Sequence, residues 1–153
     1  MSAPETPAQG TDPLIGRTGE QFAFAVEHGK IREFTRATHT RNPAYAEGSV
    51  SPPTFLMCAD HFQAKANSPW GDHPRNMART LHAEQEFVFH GPPPAAGTQL
   101  SGQARIDRRY TKEGKRGGTM TFTEVVWEYR DDTGTLVSEV RSTLVETSKA
   151  AAK

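Results

Sequence analysis

Ser51-Pro52-Pro53-Thr54-Phe55-Leu56-Met57-Cys58-Ala59-Asp60-His61-Phe62 reads as the opening of a buried helix. Prolines sit comfortably in a first helical turn, where the backbone needs no N–H partner. The run is apolar nearly all round for two turns and continues to Ala66, the pattern of a helix enclosed by protein rather than lying on a surface. We therefore expect a buried helix over 54–66. Long strands follow it. Leu81, Ala83, Phe87 and Phe89 share one face of a strand over about 79–90, which Pro92-Pro93-Pro94 breaks. Leu100, Gly102, Ala104 and Ile106 share a face of a second strand, reaching towards Tyr110. Met120, Phe122 and Val126 oppose Val125, Trp127 and Tyr129 on a third; Leu136, Val140 and Leu144 oppose Val137 and Val145 on a fourth. This is the period-two pattern of half-buried strands. Lys115-Arg116-Gly117-Gly118 and Asp131-Asp132-Thr133-Gly134 read as turns. Three consecutive hairpin-like links predict an antiparallel meander, because parallel neighbours need long crossovers.

Upstream, Phe22, Phe24 and Val26 alternate in a short strand over 21–27, and Gly29 stops it. Ile31, Phe34 and Ala37 or Thr38 then recur at helical spacing over 30–38. Arg41-Asn42-Pro43 ends that helix, since a residue before proline is pushed out of the helical region. One strand, a helix, then four antiparallel strands is an α+β pattern. A sheet of about five strands wrapped around one buried helix is the hot-dog architecture. One such sheet covers only one side of its helix, so dimerisation is expected, a homodimer when the chain is isolated.

The chain has 153 residues, which suits a single domain. Residues 1–13 hold three prolines and read as a disordered lead-in, 14–147 as the domain and 148–153 as a fraying tail. The stretch 67–77, with Pro69, Gly71 and Pro74, reads as a loop pinned by Trp70. Eighteen Lys and Arg balance eighteen Asp and Glu, which argues against a nucleic-acid or anionic-membrane partner. No apolar run approaches the roughly 18 residues of a membrane span, and the N-terminus has no secretory pattern. Cys58 is the single cysteine, which excludes an internal disulfide framework and any cysteine-cluster zinc site. A cytoplasmic location is the simplest expectation.

The segment Ala37-Thr38-His39-Thr40-Arg41-Asn42-Pro43-Ala44-Tyr45-Ala46-Glu47, with Ser51–Phe55 and Leu81–Phe87, resembles the N-terminal domain of MaoC-like dehydratases. More narrowly it resembles the fatty-acid-synthase-like subgroup that includes the first of the two subunits of the heterodimeric (3R)-hydroxyacyl-ACP dehydratases. The resemblance runs from about residue 15 to 147. It is carried by Asn-Pro-x-Tyr (42–45), Pro-Pro-Thr-Phe (52–55), Gly-Gly-Thr-Met-Thr-Phe (117–122) and Arg-Ser-Thr-Leu-Val-Glu-Thr (141–147), in order. Each motif is weak alone and the set is specific.

Catalytic members of that superfamily carry Asp, four residues, then His around the same Asn-Pro. Moving water across Cα–Cβ of a thioester needs a base for the α-proton and an acid for the leaving hydroxyl. On this chain those positions are Thr40 and Tyr45. A threonine hydroxyl is no general base near neutral pH, and an unperturbed tyrosine has a pKa of about 10. No catalytic residue of the pair is intact. The resemblance thus implies a partner subunit that shapes the acyl site while another hot-dog chain supplies Asp-x4-His. The substrate it implies is a (3R)-hydroxyacyl or enoyl chain on acyl carrier protein or coenzyme A. Asn42, Pro43 and Tyr45 are expected to shape the overhang above the substrate, and Pro53, Thr54 and Phe55 to line the thioester end. Phe62 and the loop 67–77 are expected to border the acyl tunnel. No metal and no cofactor is implied. Only four residues separate Glu47 from Pro52, fewer than the family's usual overhang would have.

Other groups are open to chemistry. Unpaired N–H groups at the start of helix 54–66 could stabilise an enolate-like oxyanion, or be capped by Ser51 or Thr54. His39 is the one titratable base of the overhang. His82 and Glu84 are expected on one strand face, with Glu86 and His90 beyond, more in keeping with a solvated or dimer-facing edge than with a metal site. Arg108, Arg109, Lys115 and Arg116 are candidates for the phosphates of the carrier, with an ordinary hairpin turn as the plain alternative. Cys58 is expected to pack as a small apolar group. Two rival functions are an acyl-binding or stabilising chain without catalysis, and a hot-dog thioesterase using Asp60 or Glu47.

Overall fold

Alternating phenylalanines make the first strand of the structure, a computed structural model that describes residues 12–114 and 118–148. Strand β1 is Phe22–Ala25, followed by helices α1 (His28–Ala37) and α2 (Pro43–Glu47). A 3-10 helix, Phe55–Phe62, and two short 3-10 turns lead into β2 (Thr80–Phe89), β3 (Gln99–Glu113), β4 (Thr119–Arg130) and β5 (Leu136–Thr147). All five strands form one antiparallel sheet in the order β1-β3-β4-β5-β2. The expected α+β hot-dog, a five-stranded sheet around one apolar helix, is the fold observed. At the two ends of the described region, Leu14 is buried beside Trp70, and the Ser148 amide donates to the Thr119 carbonyl at 2.9 Å. Residues 1–11 and 149–153 lie outside the described residues.

Only two of the three expected hairpins form. β3, β4 and β5 are a meander, but β2 pairs with β5 at the far edge. Pro92-Pro93-Pro94 explains the difference, because prolines supply no N–H to a hairpin ladder. The link instead crosses three strand spacings, about 14 Å. On its way it ties down the helical layer: the Ser51 amide donates to the Pro94 carbonyl and that of Ala96 to the Gly48 carbonyl, at 3.0 and 2.9 Å.

The sheet's inner face carries Leu100, Ala104, Ile106, Val125, Trp127, Tyr129 and Val140, the core. Gly102 belongs to this row because the Phe22 ring of the neighbouring strand lies where its Cβ would be. β2 departs from the expected alternation. Its register skips Ala83: His82 faces Leu144 and Glu84 faces Thr143. A bulge of one residue flips the side chains that follow. Leu81, paired with Val145, therefore points to the outer face and is 60% exposed, while Phe87 and Phe89 point inward. His82 and Glu84 likewise lie on opposite faces, contrary to expectation.

The helix expected over 54–66 is a 3-10 helix of eight residues. Phe55 N–H bonds to the Pro52 carbonyl at 2.9 Å, and Met57 N–H to that of Thr54 at 3.2 Å. One sheet can enclose only one side of it. Phe55, Leu56 and Ala59 are buried, and Phe62 at the far end is 59% exposed. Phe55 sits between the rings of Phe24 and Phe34, at 6.1 and 5.7 Å. The buried Tyr129 hydroxyl donates to the Leu56 carbonyl at 3.4 Å. Phe55→Ala should lower the unfolding free energy by about 3–5 kcal/mol, the usual cost of a phenylalanine cavity, measured by urea denaturation. A loss below about 1 kcal/mol would mean that the helix is not anchored through this ring.

Candidate functional site

The overhang is a capped pair of helices. Asn42 caps α2 by accepting from the Ala44 amide at 3.0 Å, with Pro43 in the first turn. Reading the sequence for breaks takes Asn-Pro only as the end of α1. It is equally a helix-start signal, and α2 is the helix it starts. His28 Nε2 lies 2.8 Å from the Ala46 carbonyl, which joins the start of α1 to the end of α2. Tyr45 packs its ring against the core. His39 has a left-handed backbone, φ 55°, and is exposed beyond α1.

A cleft of about 220 Å³ opens between the 3-10 helix and the sheet's inner face. The helix side contributes Met57, Asp60 and Gln63; the loop 67–77 contributes Ser68, Pro69, Trp70 and Arg75. The sheet floor is His82, Trp127, Ser142 and Leu144. Asn67 holds the loop wall in place. Its buried amide donates to the Glu20 carbonyl at 3.1 Å and accepts from the Ala64 amide at 2.7 Å. Gly19 permits this, since a Cβ there would meet the Asn67 carbonyl. Trp70 packs on Leu14, Ala104, Ile106 and Val125, so it does pin the loop as expected.

The expected site residues fall in three places. The loop 67–77 borders the cleft. Thr40, Asn42, Pro43 and Tyr45 are not among its lining residues, nor are Pro53, Thr54, Phe55 and Phe62. Phe55 is wholly buried, so its place is in the core and not against a ligand. The start of the 3-10 helix is poor in free donors: Pro52 and Pro53 have no N–H, and that of Phe55 is used. Arg109 is turned inward onto Asp12. Arg108, on the outer face, pairs with Glu124 at 3.4 Å and covers the Tyr110 ring. Adjacent in a strand, the two point to opposite faces and do not form one phosphate cluster. Lys115 and Arg116 lie outside the described residues.

Sequence reading missed Asp60, Gln63, Arg75 and His82 as one group, because residues 60–82 come together only through the loop and the bulge. Gln63 Nε2 donates to Asp60 Oδ1 at 3.2 Å. His82 Nε2 lies 3.1 Å from the Glu84 carbonyl, which requires a proton on Nε2 and leaves Nδ1 as the acceptor in the neutral ring. Burial raises the Asp60 carboxyl above its ordinary value, opposed by the charges of His61 and His82. Burial also pushes the Cys58 thiol up, against the pull of Lys30, which keeps it a thiol and a weak nucleophile. No helix is long and apolar enough to cross a membrane, and no three potential metal ligands cluster, among the described residues.

The family described as FAS1-like, dehydratase domain region matches residues 13–140. Among solved structures, the truncated HadBC (3R-hydroxyacyl-ACP dehydratase) complex from Mycobacterium tuberculosis has a chain 23% identical to this one. It superimposes with a TM-score of 0.66 over 88% of this chain and 98% of its own. A MaoC-like dehydratase gives a TM-score of 0.72 at 20% identity, over 88% of this chain and 42% of that one. The MaoC-like dehydratase from Phytophthora capsici gives 0.67 at 16% identity, over 92% and 50%. These likenesses are of fold. No curated protein matches the chain.

Because its proton is held more tightly in the folded state, Asp60 costs stability once ionised; the cost begins as pH rises past the ordinary carboxyl value and is complete above the raised one. Asp60→Asn should therefore raise the melting temperature at about pH 7, with a gain that shrinks as pH falls towards the ordinary carboxyl range near ~4. Melting curves across that range check this; a gain independent of pH would show that the carboxyl's ionisation is not responsible.

Proposed function

The chain belongs to the FAS1-like dehydratase-region family, and from that premise we propose that it is a subunit of an acyl-thioester dehydratase/enoyl hydratase. Its substrate is a (3R)-hydroxyacyl or enoyl chain on acyl carrier protein or coenzyme A, as in fatty-acid metabolism. It shapes the acyl site, while a hot-dog partner supplies the Asp-x4-His pair. The observation that carries this reading is the overhang itself. The Asn42 cap, Pro43 and the clasp by His28 are all there, yet Thr40 and Tyr45 stand where the acid and base would be. An overhang kept without its catalytic groups is in keeping with a subunit that works beside a complete one.

The cleft is the acyl site in this reading. The outer edge of β2 has no strand paired to it among the described residues. Met77 and Leu81 are large apolar groups left exposed there or close to it in the chain, and Phe62 is exposed beside Phe24 of β1; such exposure is uncommon unless a partner covers it. The assembly is accordingly a dimer, and a homodimer when no other partner is present. Sedimentation at micromolar concentration should give the dimer mass; a monodisperse monomer would count against it.

Steady-state hydration of an enoyl-CoA tests the division of labour. Each missing acid or base is worth about 10²–10⁴-fold in rate, so the chain alone should run close to background. Mixed with a hot-dog partner carrying Asp-x4-His, it should raise that partner's turnover or widen its chain-length range. Robust activity of the chain alone, lost in His39→Ala, would overturn the partner-subunit reading. A mixture no better than the catalytic partner would favour an acyl-binding chain without a role in turnover.

A further inference from the structure

The cleft is small and its lining mainly apolar, and its one arginine makes no direct ion pair. At about 220 Å³ it lies below the usual range for drug-sized ligands. Asp60, Gln63, Ser68, Arg75, His82 and Ser142 are the polar residues that line it. A hydrocarbon tail would strip water from these groups and return no hydrogen bond, which penalises it.

Arg75 stands apart from the other arginines near the sheet. Those of β3, β4 and β5, Arg105, Arg108, Arg109, Arg130 and Arg141, each pair with a carboxylate. Arg75 makes no ion pair and no side-chain hydrogen bond among the described residues. Its guanidinium lies on the buried Trp70 ring, 4.5 Å from the centroid, which fixes its position and leaves the edge of the fork free. Burial acts against its charge, and Glu146 supports it only at longer range. The other charge in the cleft, Asp60, comes from the helix side and is occupied by Gln63. A half-buried cation held rigidly without a partner is suited to a planar anion, which a guanidinium binds through two parallel bonds.

We infer that this cleft takes short acyl thioesters whose far end carries a carboxylate, and that Arg75 is the specificity-determining residue that reads it. This rests on the acyl-thioester reading above. Calorimetric titration of the purified chain with succinyl-CoA, butyryl-CoA and octanoyl-CoA tests it, because the three share a carrier and differ only in the acyl group. Succinyl-CoA should bind about tenfold or more tighter than butyryl-CoA, the scale of one charge-assisted pair, and octanoyl-CoA should bind no better than butyryl-CoA. Arg75→Gln should bring succinyl-CoA down to the affinity of butyryl-CoA, with an unchanged melting temperature reporting a folded chain; Arg75→Lys should keep part of the preference. Equal binding of the first two, or a preference that survives Arg75→Gln, would overturn the inference and leave the dehydratase reading intact. Equal weakening of all three by Arg75→Gln would overturn it too, since Arg75 would then be reading the carrier's phosphates. If none of the three binds, the acyl-thioester reading fails and this inference fails with it.

Discussion

The structure depends on the seating of one short helix against one face of one sheet. Phe55, Leu56 and Ala59 are withdrawn from water there, Phe24 and Phe34 close on the Phe55 ring, and Tyr129 reaches from the sheet to the Leu56 carbonyl. Burial of a large side chain is worth about 1.5–3 kcal/mol, so this cluster outweighs any single surface ion pair in the molecule. Its geometry also decides what stays open. A 3-10 helix has about three residues per turn and turns few of them to the sheet, which leaves Asp60 and Gln63 facing the gap beyond the core. The cleft is a consequence of how the core is closed.

A second constraint acts from the opposite edge. The extra residue at Ala83 sends His82 inward and Glu84 outward. Without it the cleft floor would lose its imidazole, and Leu81 would join the core. The bulge thus exchanges an apolar contact for a polar group in the cleft, and it places an apolar group on a free sheet edge. Both outcomes are costly for an isolated chain and reasonable for one that binds a ligand on one side and a partner on the other.

The charges divide along the same lines. The arginines of β3, β4 and β5 are neutralised by nearby carboxylates, mostly on the exposed surface, where pairing adds little stability. Asp12 shows how the inward pair is tuned. Burial alone would raise its carboxyl, but the Leu14 amide and the Arg109 guanidinium outweigh that and lower it. Arg75 makes no such direct pair; its guanidinium lies on the Trp70 ring at the edge of the cleft.

The sequence by itself determined the elements and their class. Period-two alternation marked all five strands, and the apolar run after Pro52-Pro53 marked the helix at the centre of the hot-dog. The family resemblance is carried by contiguous motifs, which are legible because each is local. The absence of an intact acid–base pair could likewise be read directly from Thr40 and Tyr45. What the tertiary structure decided is everything that depends on a count of one residue or on a pairing between distant strands. A proline-rich link moved β2 from beside β3 to the far edge. A single bulge separated His82 from Glu84, which period-two reasoning had placed together. Arg108 and Arg109 look like a basic cluster in a linear chain, and the pleat sends them to opposite faces. Asp60, Arg75 and His82 carry no shared spacing, so only the closing of the loop over the sheet could make them one site.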